Sequence, residues 1–87
     1  MSGTATGTDE DISQLRHEID ELDSKIIELW QRRAALSKQV GQLRLASGGP
    51  RLVLSREMVV IRRYTDELGP DGRDVALLVL RAGRGPL

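Results

Sequence analysis

Residues 11–46, DISQLRHEIDELDSKIIELWQRRAALSKQVGQLRLA, decide the fold of this 87-residue chain. Their apolar side chains recur in alternating steps of three and four, which is the heptad spacing of one helix face. We call this apolar face the seam, and its positions are Ile12, Leu15, Ile19, Leu22, Ile26, Leu29, Leu36, Val40 and Leu43. One seam position, Arg33, is not apolar. No proline or glycine occurs in the stretch before Gly41, and one glycine costs a helix about 1 kcal/mol. The stretch therefore predicts a single long helix.

The length of this helix predicts how the chain assembles. A helix of about 35 residues spans roughly 50 Å, whereas a compact chain of this size has a radius of gyration of about 12 Å. The rest of the chain is too short to cover the whole seam, so we expect a second copy to cover it in an intertwined homodimer. The alternative is a coiled-coil hairpin or rod, but the charges that flank the seam complement one another poorly.

Two shorter helices are predicted after the long one. The segment SGGP at positions 47–50 ends the first helix, because glycine suits a helix C-terminus and proline cannot continue the helix. A second helix is expected from an N-cap at Ser55 to Leu68, and a third from a cap at Asp71 to about Ala82. No strand-like alternation is found, so the predicted fold class is all-α, with three helices per chain.

The chain is interpreted as one domain with a short leader. Residues 1–10 are rich in Ser, Thr and Gly and are predicted to be disordered, and residues 11–87 form the helical domain. The tail from Gly83 onward is expected to be loose. The leader lacks the features of a signal peptide, and no window approaches the roughly 20 apolar residues of a membrane span. We therefore expect a cytoplasmic protein.

The composition excludes several kinds of function. There is no cysteine and one histidine, His17, so neither a disulfide nor a His/Cys metal site is expected. The formal net charge is zero, with 13 basic and 13 acidic residues, which argues against non-specific binding to nucleic acid or an anionic membrane. Trp30 and Tyr64 are the only aromatic residues, so recognition by base stacking is not expected.

Basic residues concentrate in the middle of the chain, where an anion would bind. Between positions 31 and 63 there are eight basic residues and one acidic residue, Glu57. Arg33 occupies a seam position, and its guanidinium cannot be neutralised, so burial requires an anionic partner. Arg44 lies three turns further on nearly the same face. Glu57, next to Arg56, is in line with the apolar stripe of the second helix.

Each of these residues also has an ordinary structural interpretation. Arg33 could set the register of the seam or extend to solvent, and Glu57 could form a core salt bridge with Arg33 or Arg44. Arg44 could stabilise the C-terminal end of the first helix, and Arg56 could be solvated. The excess of arginines over carboxylates favours a pocket for a small polyanion, because the guanidinium fork binds carboxylates through two hydrogen bonds.

Arg16 fits such a pocket only if two chains share it. It lies roughly 25 Å from Arg33 along the helix, so the two cannot reach one small ligand from the same chain. If the long helices cross antiparallel in the dimer, Arg16 of one chain approaches Arg33 of the other. The alternative is a surface arginine paired with Asp20. The chain lacks a nucleophile–base pair, so we expect chemistry that depends on positioning and electrostatics.

Four segments, in this order and spacing, resemble the all-helical chorismate mutases, and most closely their short cytoplasmic actinobacterial branch. They are LRHEIDELD at 15–23, QRR at 31–33, VGQLR at 40–44 and SRE at 55–57. The segments ASGG at 46–49 and ELGPDG at 67–72 also recur in that branch. The resemblance extends over about residues 12–85.

The resemblance implies a three-helix chain in an intertwined homodimer that converts chorismate, a dicarboxylate, to prephenate without a cofactor or a covalent intermediate. By position, it implies that Arg33, together with Arg16 of the partner subunit, binds the substrate carboxylates and that Arg56 belongs to the same set. It implies that Arg44 donates to the ether oxygen of the breaking bond and that Glu57 accepts from the ring hydroxyl. A fixed cation near that oxygen would stabilise charge that grows in the transition state.

The chain departs from the family pattern at two pocket positions. Val53 stands where many relatives have an acidic residue, and its backbone is expected to replace that residue in substrate binding. Many relatives also carry a third-helix glutamine that donates to the ether oxygen, whereas all four glutamines here lie in the first helix. The branch further implies activation by 3-deoxy-D-arabino-heptulosonate-7-phosphate (DAHP) synthase. The loop at 48–51 and the tail at 84–87 are candidate docking elements for that partner.

Two other functions are compatible with the pattern. An isochorismate-pyruvate lyase of the same fold would bind a similar dicarboxylate, and the product formed, pyruvate or prephenate, separates the two enzymes. A non-catalytic helical interaction module would not be stabilised by a mimic of the transition state.

Overall fold

The computed structural model describes residues 7–50 and 52–85 and confirms the all-α fold. Within these ranges there are three helices and no strand: α1 at Asp9–Ala46, α2 at Leu54–Leu68 and α3 at Asp71–Arg84. Residues 1–6, most of the predicted leader, lie outside the described residues, as do residues 51, 86 and 87.

A capping box starts α1 at Asp9, two residues before the predicted start. The Asp11 N–H donates to the Thr8 hydroxyl at 3.1 Å, and the Thr8 N–H donates to the Asp11 carboxylate at 3.2 Å. These two bonds satisfy donors that a helix N-terminus would otherwise leave free. At the other end, the Ser47 hydroxyl donates to carbonyls of the last turn, and Gly48 turns the chain with φ +81°. The helix therefore ends where the glycines and proline predicted.

The predicted boundaries of α2 and α3 were wrong by one or two residues. α2 begins before Ser55, with Val53 at the N-cap and no side-chain capping bond. Asp71 is the first residue of α3 and not its cap. α3 also continues through Gly83 to Arg84, although the sequence predicted a loose tail from Gly83. Gly83 is buried against α1, and this packing outweighs the roughly 1 kcal/mol that a helical glycine costs.

The packing centres on α3. It contacts both α1 and α2, whereas α1 and α2 do not pack against each other. Two buried glycines allow these close approaches: a Cβ at Gly72 would overlap the backbone of Tyr64 in α2, and a Cβ at Gly83 would overlap the Ser37 side chain in α1. The small core consists of Val60, Ala76, Val79 and Leu80. α3 therefore joins two helices that leave a gap between them.

The seam of α1 is uncovered in a single chain. The molecule measures 66 × 23 × 17 Å, with a radius of gyration of 18.8 Å, against about 12 Å for a compact chain of this length. None of the described residues of α1 is buried, and the seam side chains range from 44% exposed at Ile12 to 71% exposed at Leu43. The helix thus outruns its own domain, as its length predicted. No helix within 7–50 and 52–85 is long and apolar enough to cross a membrane.

Candidate functional site

An open pocket of about 450 Å³ fills the gap between α1 and α2, beside the C-terminal end of α3. We call it the arginine pocket. α1 contributes one wall through its second half, the start of α2 forms the opposite wall, and α3 joins them. The polar side chains that line it are Arg33, Ser37, Lys38, Gln42, Arg44, Arg56, Glu57 and Arg84.

Five of the six residues singled out from the sequence line this pocket. They are Arg33, Arg44, Val53, Arg56 and Glu57. The sixth, Arg16, is exposed on the first half of α1 and does not line it. The seventeen residues between Arg16 and Arg33 correspond to roughly 25 Å of helix, so one chain alone does not bring Arg16 to the pocket.

Arg33 carries a buried donor with no partner among the described residues. Its Nη1 atom is inaccessible to solvent and makes no hydrogen bond. The guanidinium cannot lose its proton, and leaving a buried charged donor unsatisfied costs more than the roughly 1–3 kcal/mol of a neutral group. Among the described residues, no acidic side chain forms an ion pair with it. Within the part of the chain that the structure describes, this donor has no acceptor, so it is available to one from a ligand or a second chain.

Glu57 pairs with Arg84, which lies in the stretch predicted to be a loose tail. The Arg84 Nε donates to one carboxylate oxygen at 2.5 Å and its Nη2 donates to the other at 3.2 Å. The Arg84 side chain is 17% exposed and the Glu57 side chain is 14% exposed. The predicted alternative, a core salt bridge from Glu57 to Arg33 or Arg44, is therefore wrong. Among the described residues, those two arginines form no ion pair.

The close approach of α3 to α1 carries Arg84 into the pocket. Gly83 contacts Ser37 where only a glycine fits, and Arg84 is the next residue along the helix. The sequence contained a signal for it, because Ala76, Leu80 and Arg84 follow each other in steps of four on one face of α3. The prediction that α3 ends before Gly83 left Arg84 outside the helix and therefore off this face.

The charge balance of the pocket favours a small polyanion. Five basic side chains line it (Arg33, Lys38, Arg44, Arg56 and Arg84) against one carboxylate, Glu57, which leaves a surplus of four positive charges. Guanidinium groups bind carboxylates through paired, charge-assisted hydrogen bonds. The chain's one histidine, His17, is exposed on the first half of α1, so no imidazole base lines this pocket. The described residues thus offer binding and electrostatic stabilisation.

Comparison with known proteins gives consistent matches over most of the chain. Residues 15–79 match the family model described as chorismate mutase type II. The intracellular chorismate mutase of Mycolicibacterium smegmatis is 61% identical over 77 residues, which cover 88% of this chain and 74% of that protein. The intracellular chorismate mutase of Mycobacterium tuberculosis is also 61% identical over 77 residues, covering 88% and 72%.

A solved structure matches the fold as well. It is the non-covalent complex of DAHP synthase and chorismate mutase from Corynebacterium glutamicum, with a bound transition state analog. One of its chains superposes with a TM-score of 0.89 at 40% sequence identity, covering 91% of this chain and 95% of that chain. The shared architecture therefore extends over nearly the whole of both chains.

Proposed function

Because this chain belongs to the type II chorismate mutase family and is an isomerase that rearranges chorismate to prephenate, we propose that the arginine pocket is its active site. The observation that carries the proposal is the buried Nη1 of Arg33, which has no acceptor among the described residues. A carboxylate of chorismate supplies that acceptor. The surplus of positive charge around Arg33 supplies the attraction for the second carboxylate.

The exposed seam supports a homodimer in which each pocket takes Arg16 of the partner subunit. Burying a Leu or Ile side chain from full exposure contributes about 1.5–3 kcal/mol. Covering nine seam residues that are roughly half exposed therefore contributes on the order of 10 kcal/mol per chain, before the entropy of association. Antiparallel crossing of two α1 helices brings the first half of one against the second half of the other. Arg16 then completes the pocket that contains Arg33.

The remaining pocket residues stabilise the breaking C–O bond or orient the substrate. Arg44 donates to the ether oxygen, where negative charge grows as the C–O bond breaks, so its contribution is larger in the transition state than in the ground state. Glu57 accepts a hydrogen bond from the ring hydroxyl, and Arg56 adds positive charge beside the substrate. The backbone of Val53 takes the place of an acidic side chain. Holding both carboxylates selects the compact conformer in which the bond-forming carbons meet.

We further propose an activating complex with DAHP synthase. Its support is the Corynebacterium glutamicum relative, which was solved in a complex with that enzyme. The loop at 48–51 remains a candidate docking element, but Arg84 is better assigned to the pocket than to a docking tail, because it binds Glu57. Residues 11–87 form the catalytic domain in this proposal. A cytoplasmic location is proposed from the relatives that are named intracellular.

A chorismate assay with and without DAHP synthase tests these proposals. Without the synthase, the wild-type protein should already form prephenate from chorismate. Adding the synthase should raise its kcat/KM. Arg33→Ala should remove most of the activity in both conditions, because one substrate carboxylate loses its partner. Full activity in Arg33→Ala would contradict the assignment of the arginine pocket, and an unchanged rate with the synthase would contradict the activating complex. Formation of pyruvate from isochorismate, without prephenate from chorismate, would contradict the reaction itself.

A further inference from the structure

The arginine pocket contains a carboxylate that can compete with its substrate. Glu57 lines the same pocket as Arg33, Arg44 and Arg56, and a carboxylate binds guanidinium groups strongly. An ion pair between Glu57 and one of these arginines would occupy donors that the carboxylates of chorismate need. Arg84 prevents such a pair, because its guanidinium engages both oxygens of Glu57.

The contact with Arg84 leaves Glu57 able to accept a further hydrogen bond. A carboxylate has about four lone-pair sites, and Arg84 uses one site on each oxygen. The guanidinium itself is fixed, because its Nη1 donates to the carbonyl of Gly85 at 3.0 Å, at the residue that ends α3. Glu57 is therefore held in one orientation while about two of its lone-pair sites stay free.

We propose that Arg84 is a positioning residue for the rearrangement, which acts by binding Glu57 and keeping it away from Arg33 and Arg44. The inference rests on the proposed function, in which Glu57 accepts from the ring hydroxyl and the other arginines bind the substrate carboxylates. Arg84 does not touch the substrate in this arrangement. Its whole effect on the reaction passes through Glu57.

Kinetics of four full-length proteins with chorismate test this inference: wild type, Arg84→Ala, Glu57→Gln and the double variant. Without Arg84, Glu57 competes with the substrate for the pocket arginines, so Arg84→Ala should raise KM about tenfold, with a smaller change in kcat. In the Glu57→Gln background the same substitution should change KM by less than about twofold, because a neutral amide competes weakly. Arg84→Lys keeps the charge but not the two-pronged contact, so it should recover part of the loss.

Arg81→Ala is the matched control. Arg81 lies one turn before Arg84 on the same helix, is exposed and does not line the arginine pocket, so its removal should leave KM at the wild-type value. Three results would overturn the inference. They are an unchanged KM in Arg84→Ala, a rise in KM that is undiminished in the Glu57→Gln background, and a faster reaction without Arg84. The second result would mean that Arg84 contacts the substrate directly. The third would mean that the contact between Arg84 and Glu57 inhibits the reaction.

Thermal unfolding of the same four proteins measures the contact without reference to activity. The two substitutions should be non-additive in Tm, because each removes the same ion pair. Wild-type kinetics in Glu57→Gln would overturn the proposed role of Glu57, and this inference with it. A clear loss of activity in Glu57→Gln without coupling to Arg84 in Tm or in KM would overturn this inference alone.

Discussion

Replacing Gly83 with alanine tests whether the close approach of α3 to α1 builds the arginine pocket. An added Cβ would overlap both the Cβ and the Oγ of Ser37. Rotation of the Ser37 side chain can move the Oγ, but the Cβ is bonded directly to the α1 backbone. α3 must therefore shift at Gly83, and the adjacent Arg84 must shift with it.

Two effects of opposite sign set the change in stability of Gly83→Ala. Overpacking a close contact costs about 1–3 kcal/mol, and replacing a helical glycine with alanine returns about 1 kcal/mol. We expect a net loss of about 1 kcal/mol in the free energy of unfolding. For a chain of this length, that loss lowers Tm by roughly 4–8 °C.

Thermal melts followed by circular dichroism, at one fixed protein concentration, measure this change. Gly41 in α1 is the matched control, because a Cβ there meets nothing within 4 Å. Gly41→Ala should therefore raise the stability by about 1 kcal/mol. Ser37→Gly removes the atoms that the new Cβ strikes, so Gly83→Ala should become stabilising in that background. A rise in Tm for Gly83→Ala equal to that for Gly41→Ala, with Ser37 in place, would contradict a steric clash between the added Cβ and Ser37.

Three further predictions concern the transition state, the seam and the ligand. Arg44→Ala should lower kcat about 100-fold or more in a chorismate assay, because the hydrogen bond from Arg44 to the ether oxygen strengthens in the transition state. Arg44→Lys should lower kcat less, and equal losses in the two variants would contradict a charge role. Leu22→Asp should dissociate the proposed homodimer in sedimentation, because it buries a carboxylate in the seam, whereas Ser24→Asp, off the seam, should not. A dimer that persists in Leu22→Asp would contradict the seam interface. A bicyclic transition-state mimic at 100 times its Kd should add about 2.7 kcal/mol of stability; no shift in Tm at saturation would favour a non-catalytic module.

The sequence predicts α1 well because the information is local. Alternating steps of three and four define one face over the 32 positions from Ile12 to Leu43, and the glycines and proline after Ala46 end the helix. The exposure of the seam follows from the length of the helix, because a helix of that length exceeds the size of its own domain. Charged residues on or beside apolar helix faces also predicted four of the pocket residues, Arg33, Arg44, Arg56 and Glu57, whereas Val53 was implied only by the family resemblance.

The end of α3 was mispredicted because tertiary packing decides it. Glycine is a common helix terminator, and Gly83 followed by Arg84 and Gly85 has the composition of a loose tail. The Gly83 position instead meets Ser37, which lies 46 residues earlier in the chain, and no local rule contains that contact. The partner of Glu57 was missed for the same reason, because Arg84 joins the pocket only when α3 continues past Gly83.

Mixed dimers test whether each active site is shared by two chains. Arg16→Ala and Arg33→Ala homodimers should both be nearly inactive, because every pocket lacks one arginine. In a heterodimer of the two variants, one pocket carries both substitutions and the other carries neither. We expect about half of the wild-type activity per verified heterodimer, from the one intact pocket. Heterodimers as inactive as the two parents would contradict a shared pocket.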